Sequence, residues 1–334
     1  MKKELVDLIE KSRKKEVKKV LESQVKLLTK ELEDKDRLLE FYEGFDGKEI
    51  KPITSRLSKS KGEGTVVALS SDVHAEHKIT REETNGINEY SPDICARRLE
   101  NYFINLVRLT ENNRRDIALN DLVLGILGDL PHGFIHDEYI RSNYLTPPEA
   151  ALFIIEQYRR GLRYLIDNGN FKRIIVVCKV GNHSRITDKI YSSDEALHSY
   201  EWAIYNLLKK EFTEIEWMIE NSYFSYLNVY DKVIRFHHGH AFKYAGGIGG
   251  LYVPLVRYVT KINKGKLQKA DLDCIGHWHS LDYLRAASVL INGSVCGYDS
   301  YAQRKGFEPE PPAQQFLIVD KKRGFTINAP IMLN

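Results

Sequence analysis

Five short islands of Asp, Asn, His and Gly punctuate this chain, each at or near the end of an apolar run. They are Asp72-Val-His74, Gly128-Asp129, Gly181-Asn182-His183, His238-Gly239-His240 and Gly276-His277-Trp278-His279. The first closes the apolar, β-branched run Thr65–Ser71, as a buried strand does when it delivers side chains to a site at its C-terminal end. One Asp-x-His pair means little on its own, but five such islands in one chain point to a metal site. Carboxylate, amide and imidazole groups suit hard or borderline divalent ions. A pair of ions needs a ligand with two oxygens to bridge them. Asp129, closing a strand between two other ligand-bearing strands, is the candidate bridge. The glycines before Asp129, Asn182 and His277 let the backbone turn sharply and bring the next side chain inward.

Taken in order, DxH, GD, GNH, HGH and GHxH resemble the calcineurin-like metallophosphoesterase superfamily, over residues 65–295. The resemblance implies an α/β fold, a four-layer α/β/β/α sandwich of two mixed sheets. It implies a first metal held by Asp72, His74, Asp129 and His279, and a second held by Asp129, Asn182, His238 and His277. His183 would be the catalytic histidine near the leaving-group oxygen. The cofactors implied are two divalent ions; Mn2+ is the working choice, and Fe, Zn or Ni suit the same ligand types. A hydroxide between the ions would attack phosphorus in line, with His183 donating to the leaving oxygen.

Two positions depart from the common pattern. Ser184 follows His183 where an acid is usual, so a carboxylate orienting His183 must come from elsewhere. Gly128-Asp-Leu-Pro-His132 is similar to the DNA-repair nuclease branch, which places His132 to orient His183 or to contact substrate. Arg185 is expected to meet a phosphate. Asn292–Tyr301 and the later Pro-Pro-Ala-Gln-Gln-Phe also resemble phage and mobile-element members. His237 should face away from the site by strand alternation, while His240 should face it. His77, His136 and His198 read as ordinary, Trp278 as a packing residue, and Gly246–Gly250 as a flexible active-site loop without the Lys-Ser/Thr of a P-loop.

Domain organisation follows composition. Residues 1–45 are rich in Lys, Glu and Leu and predict helix, with Leu21, Val25, Leu28 and Leu32 at alternating spacings of four and three. That spacing leaves three readings open: packing on the main domain, a self-associating coiled coil, or a nucleic-acid arm. Gly44–Gly64 reads as linker. The division is therefore a helical segment with linker over 1–60 and a catalytic domain over 61–334. In the latter we expect strands at Thr65–Ser71, Asp121–Leu127 and Lys172–Val180, and helices at Asp93–Thr110, Thr146–Asp167 and Glu195–Phe212. Short strands follow from Ile215 onward, among them Tyr283–Ile291, interrupted by one helix near Leu251–Ile262.

Net charge is +3. Residues 1–60 carry sixteen Lys and Arg against thirteen Asp and Glu, so the rest of the chain sums to zero. The catalytic portion offers no global attraction for nucleic acid. No apolar run reaches membrane-spanning length, and the charged N-terminus lacks the apolar core of a secretory signal. Cys95, Cys178, Cys274 and Cys296 are widely spaced and form no CxxC, so we expect free thiols in a reducing, cytoplasmic setting. The leading expectation is a two-metal phosphodiesterase acting on DNA. The alternative is a small-molecule phosphatase, or a phosphodiesterase for nucleotides or cyclic nucleotides, whose N-terminal helix mediates homo-oligomerisation.

Overall fold

The computed structural model describes residues 2–43, 62–135, 139, 142–242, 250–265 and 268–334. It falls into two compact units, Met1–Lys59 and Ser60–Asn334. In the first, α1 (Lys2–Glu43) is a single helix. Leu21, Val25, Leu28 and Leu32 are all more than half exposed on it.

The second unit is built on two sheets. The first holds β1 (Gly62–Ser70), β2 (Ile117–Ile126), β3 (Arg173–Cys178), β4 (Glu216–Ile219), β10 (Ala313–Asp320) and β11 (Gly324–Met332), in the order β11-β10-β1-β2-β3-β4. β1 to β4 run parallel, and β10 and β11 pair antiparallel at one edge. The second sheet holds β5 (Ser225–Val229), β6 (Lys232–Phe236), β7 (Leu272–Ile275), β8 (Asp282–Leu284) and β9 (Val289–Ile291), in the order β5-β6-β7-β9-β8. β6, β7 and β9 are parallel, with an antiparallel strand at each edge. Both sheets are thus mixed.

Three apolar cores separate four layers. Val66 and Ala68 of β1, with Leu122, Leu124 and Ile126 of β2, point to α2 (Pro92–Asn113), α3 (Pro147–Asn168) and α4 (Tyr200–Glu211). The alternate residues Val67, Leu69 and Val123 face Ile234, Phe236, Leu272 and Cys274 of the second sheet. Val289, Ile291 and Ile275 pack on Leu255 and Val259 of α5 (Tyr252–Lys264). Strands buried on both faces read as unbroken apolar runs, which is why the parallel strands are visible in sequence. The expected α/β/β/α sandwich is the observed architecture.

Local signals set the helix starts. Ser91 caps α2, its Oγ accepting from the Ile94 amide, with Pro92 in the first turn. Glu149 of α3 accepts from both the backbone amide and the hydroxyl of Thr146.

Three expectations need correction. Gly62–Gly64, read as linker, belong to β1; the rest of that linker lies outside the described residues. Glu195–Phe212 is not one helix: a 3-10 turn at Glu195–His198 ends at Ser199, which caps α4 through its hydroxyl and the Glu201 amide. Tyr283–Ile291 is a hairpin of β8 and β9, reversed through Arg285–Ala287 and a left-handed Ser288 (φ 54°). A short α6 (Ser300–Lys305), capped by the Asp299 carboxylate and ended at Gly306 (φ 71°), lies where the sequence offered no expectation of structure.

Candidate metal centre

All five islands sit at the C-terminal ends of parallel strands: Asp72 and His74 after β1, Asp129 after β2, Asn182 and His183 after β3, His238 after β6 and His277 after β7. β1 and β2 stay zipped beyond their ladder. The amides of Val73 and His74 donate to the Asp129 carbonyl, at 2.8 and 3.1 Å, and that of Ala75 to Leu130 at 2.9 Å. The strand-end turns are tight. Asp72, His74, Asp129, His277 and His279 all adopt left-handed φ between 47° and 71°. Gly181 has no room for a side chain, because a Cβ there would lie 2.0 Å from Asp129 Oδ1.

The acid and imidazole groups meet in overlapping sets. Asp72, His74 and Asp129 bring ligand atoms within 4.8 Å of one another, and so do Asp129, His238 and His277. Asp129 is common to both. Its Oδ2 lies 2.9 Å from His238 Nε2, which is also 3.2 Å from Asn182 Oδ1. His74 Nε2 and His279 Nε2 are 3.1 Å apart, and His279 Nε2 is 3.4 Å from Asp72 Oδ1. Adjacent ligand atoms around one ion, each bonded at about 2.1 Å, stand about 3 Å apart at right angles, so this crowding of ring nitrogens and carboxylates fits a coordination shell. All seven expected ligands, Asp72, His74, Asp129, Asn182, His238, His277 and His279, are therefore gathered at one place.

Outer contacts fix their orientation. His238 Nδ1 donates to the Leu127 carbonyl at 2.7 Å, leaving Nε2 for the centre. Asp72 accepts the His277 amide on both oxygens, at 2.9 and 3.0 Å, as well as the Ser71 hydroxyl. Burial pulls the His74 and His277 imidazoles well below their usual pKa, helped respectively by the His183 and His238 charges, which favours the neutral, ligating form. Burial pushes the Asp129 carboxyl up, but the His238 and His183 charges overcome it and hold Asp129 well below the carboxylate range. Burial lowers His238 too, yet Asp129 lifts it to about 9, so an ion there must displace a proton.

His183 lies against the ligands, its ring centroid 4.8 Å from that of His74. Its amide donates to Asp129 Oδ1 and its Nδ1 to the His132 carbonyl, both at 2.8 Å, which leaves Nε2 as the ring atom for a substrate. His132 therefore orients His183 through its backbone and not its imidazole. The His132 ring stacks on His77 at 3.9 Å, its Nδ1 is 3.1 Å from His74 Nδ1, and its buried Nε2 has no hydrogen-bond partner among the described residues. His77, read as ordinary, belongs to this cluster. Arg185 also departs from expectation. Its guanidinium donates to the carbonyls of Asn182, Thr187 and Asp188, so it braces its own loop where a phosphate contact was expected.

The carboxylate missing after His183 is supplied by Glu201 of α4. It accepts the Leu130 amide at 2.6 Å on one oxygen, and the Gly181 amide and Ser184 hydroxyl, both at 2.7 Å, on the other. It fastens the loops after β2 and β3 together. No motif marks it in sequence; only the unusual Ser184 hinted that such a group was needed. Asn292 and Gln314, in the tail whose meaning the sequence left open, form a buried network on Ser71. The Asn292 Nδ2 donates to Ser71 Oγ, and the Ser71 amide to Gln314 Oε1, both at 2.8 Å.

His237 faces away from the centre, 3.2 Å from Asp273, which also takes a bidentate Arg235. His240 Nε2 pairs with Glu195 at 2.9 Å. Trp278 stacks on Phe242 at 5.0 Å. His198 lies edge-on to Tyr191. His136 and residues 243–249 lie outside the described residues.

Beside the centre, a pocket of about 300 Å³ is lined by His279, Tyr252, Trp278, Tyr298, Phe307 and Glu308, among others. All four cysteines are buried and free. Among the described residues no helix is long and apolar enough to cross a membrane.

No family model matches the sequence, and no curated protein matches it. Solved structures similar to this chain include Vps29 of Entamoeba histolytica, crystallised with zinc (12% identity, 80% of this chain and 99% of that one, TM-score 0.33). They also include a hypothetical protein of Pyrococcus horikoshii (11%, 81% and 89%, TM-score 0.37) and phosphopantetheinyl hydrolase of Mycobacterium tuberculosis (11%, 73% and 94%, TM-score 0.28). Likeness at this level leaves function to the site itself.

Proposed function

We propose that this chain is a two-metal phosphoester hydrolase. The observation that carries the reading is Asp129, a single buried carboxylate shared by two ligand sets. Two divalent ions bound there would supply Lewis acidity toward the phosphate and an acidified water. Asp72, His74 and His279 would hold one, and Asn182, His238 and His277 the other. The protein's own part is positioning. Glu201 and the His132 carbonyl hold His183 rigid beside the centre, where its Nε2 can give a proton to the leaving oxygen.

The finer reading is cleavage of DNA phosphodiesters. The Gly128–His132 sequence and the basic helical segment support it. A second reading, a small diester carrying one aromatic or apolar group, is favoured by the pocket beside His279. Its aromatic walls suit a single ring, and Glu308 and Glu310 on its lining disfavour a polyanion. Homo-oligomerisation through the exposed Leu and Val positions of α1 remains part of the proposal.

The test is hydrolysis by the full chain, loaded with Mn2+ or Zn2+, of bis-p-nitrophenyl phosphate, p-nitrophenyl phosphate, and labelled single- and double-stranded DNA. Diester and DNA cleavage supports the nuclease reading. Diester cleavage with DNA intact supports the small-diester reading. No hydrolysis of any of them under either metal overturns both.

A further inference from the structure

The third ligand-type cluster at this centre contains a cysteine. Cys296 brings its sulfur, with one ring nitrogen each of His74 and His279, into a group whose atoms all lie within 4.8 Å of one another. Of the four buried cysteines, it alone among the described residues is grouped with imidazoles in this way. An ion bonded to sulfur at about 2.3 Å and to nitrogen at about 2.1 Å holds them at most about 4.4 Å apart. In a tetrahedral shell they stand about 3.6 Å apart, so atoms already within 4.8 Å of one another need shifts of at most about 1 Å to share one ion.

The backbone keeps the sulfur where it is. The Cys296 carbonyl accepts from Asn88 Nδ2 at 2.8 Å and from Arg98 at 2.9 Å. The preceding Val295 amide donates to the Asp72 carbonyl at 3.0 Å, tying this loop to the strand end that carries Asp72 and His74. The thiol donates weakly to the Gly297 carbonyl at 3.7 Å, and its side chain also meets the His279 ring. A buried cysteine held this firmly, with its side chain against the two candidate ligands His74 and His279, is placed to bind an ion.

We infer that Cys296 is a ligand to the ion held by Asp72, His74 and His279, and that it biases this position toward zinc or ferrous iron over manganese. This rests on the two-metal reading above. As the sulfur–metal bond forms, the S–H bond breaks and its proton leaves to solvent. A thiolate is a soft donor; Zn2+ and Fe2+ accept it well, whereas Mn2+ favours oxygen. In sequence Mn2+ was the working choice among ions that suit these ligand types, Fe, Zn and Ni included, and the cysteine argues for zinc or iron at this position.

The experiment is a Co2+ titration of the chelator-stripped full chain and its Cys296→Ser variant, followed by optical absorption. Expected is a visible ligand-field spectrum in both proteins, and a near-ultraviolet sulfur-to-cobalt charge-transfer band in the parent alone. In Zn2+ against Mn2+ competition, the variant should lose at least tenfold of the parent's zinc preference. The visible spectrum of the variant reports that its centre is folded. Ligand-field bands in both proteins with no sulfur band in either would overturn the inference and leave the two-metal reading standing. No cobalt spectrum in either protein would overturn both.

Discussion

Asp129 holds His183 by its backbone: Oδ1 of the carboxylate accepts the His183 amide at 2.8 Å, while Oδ2 faces His238 Nε2 at 2.9 Å. One side chain thus joins the candidate bridge between two ions to the loop that carries the candidate acid. Replacing it disturbs metal binding and proton donation together.

Asp129→Asn keeps the shape but removes the charge and one acceptor. We expect metal content after dialysis to fall from two ions per chain to one or none, and diester hydrolysis to drop by at least about 10³-fold, the scale of losing a key electrostatic group. Elemental analysis with kcat on bis-p-nitrophenyl phosphate checks this. Two ions retained with unchanged turnover would contradict the bridge.

His183→Gln separates the two roles. Both ions should stay bound, while kcat falls about 10²- to 10⁴-fold, the usual worth of a positioned general acid. The loss should be largest for substrates with poor leaving groups and smallest for p-nitrophenolate. An equal loss across leaving groups would argue against proton donation.

Glu201→Gln tests the clamp. The carboxylate serves two amides and a hydroxyl, and a carboxamide must turn its NH2 toward at least one donor. Leaving a buried donor unpaired costs about 1–3 kcal/mol, so the melting temperature should fall by several degrees, on a scale of about 2–4 °C per kcal/mol. Calorimetry of the metal-free protein is the measurement.

Glu76 gives a pH signature. Burial pushes its carboxyl up to about 7, and one of its oxygens is buried without a hydrogen-bond partner among the described residues. A folded pKa above the unfolded value means the folded state keeps a proton that the unfolded state releases. Its contribution to stability is therefore full below about 4.5 and is lost as pH rises through about 7. Nearby His74, His77 and His132, whose pKa burial lowers, act in the opposite sense, so the test is a difference. Glu76→Gln should gain on the parent by about 3 kcal/mol between pH 4.5 and 8 in urea unfolding of the metal-free protein. A constant difference would refute the raised pKa.

Arg235→Met tests the buried pair behind the second sheet. Arg235 and Asp273 are fully buried and joined at 2.6 and 2.8 Å. Removing one partner strands the other charge, and a loss of about 3–5 kcal/mol is expected. Arg235→Met combined with Asp273→Leu should recover most of it. Chemical denaturation of the single and double variants decides.

The strand ends were legible in sequence because parallel strands covered on both faces leave long apolar runs, and their polar successors stand out. Hence Asp72, Asp129, Asn182, His238 and His277 were located without coordinates. Contacts between side chains far apart in sequence were not legible. Glu201 carries no local signature, and its carboxylate is defined only by the amides of Leu130 and Gly181. His132 was noticed for its ring, whereas its carbonyl is what meets His183, and backbone groups leave no trace in residue identity. The same applies to Arg185, whose guanidinium finds carbonyls of its own loop. The break at Ser199 was hidden because helix-forming residues flank it on both sides and tertiary contact with Ser184 decides the matter.

Left-handed φ at Asp72, His74, Asp129, His277 and His279 has a consequence for engineering. Each such non-glycine residue costs on the order of 1–3 kcal/mol, a cost that glycine would largely remove at the same position. A selection for heat resistance alone would favour glycine first at His74, His277 and His279, since the Asp72 and Asp129 carboxylates also accept the His277 and His183 amides. The hardier protein that emerged would keep its sandwich and have lost three of its candidate ligands.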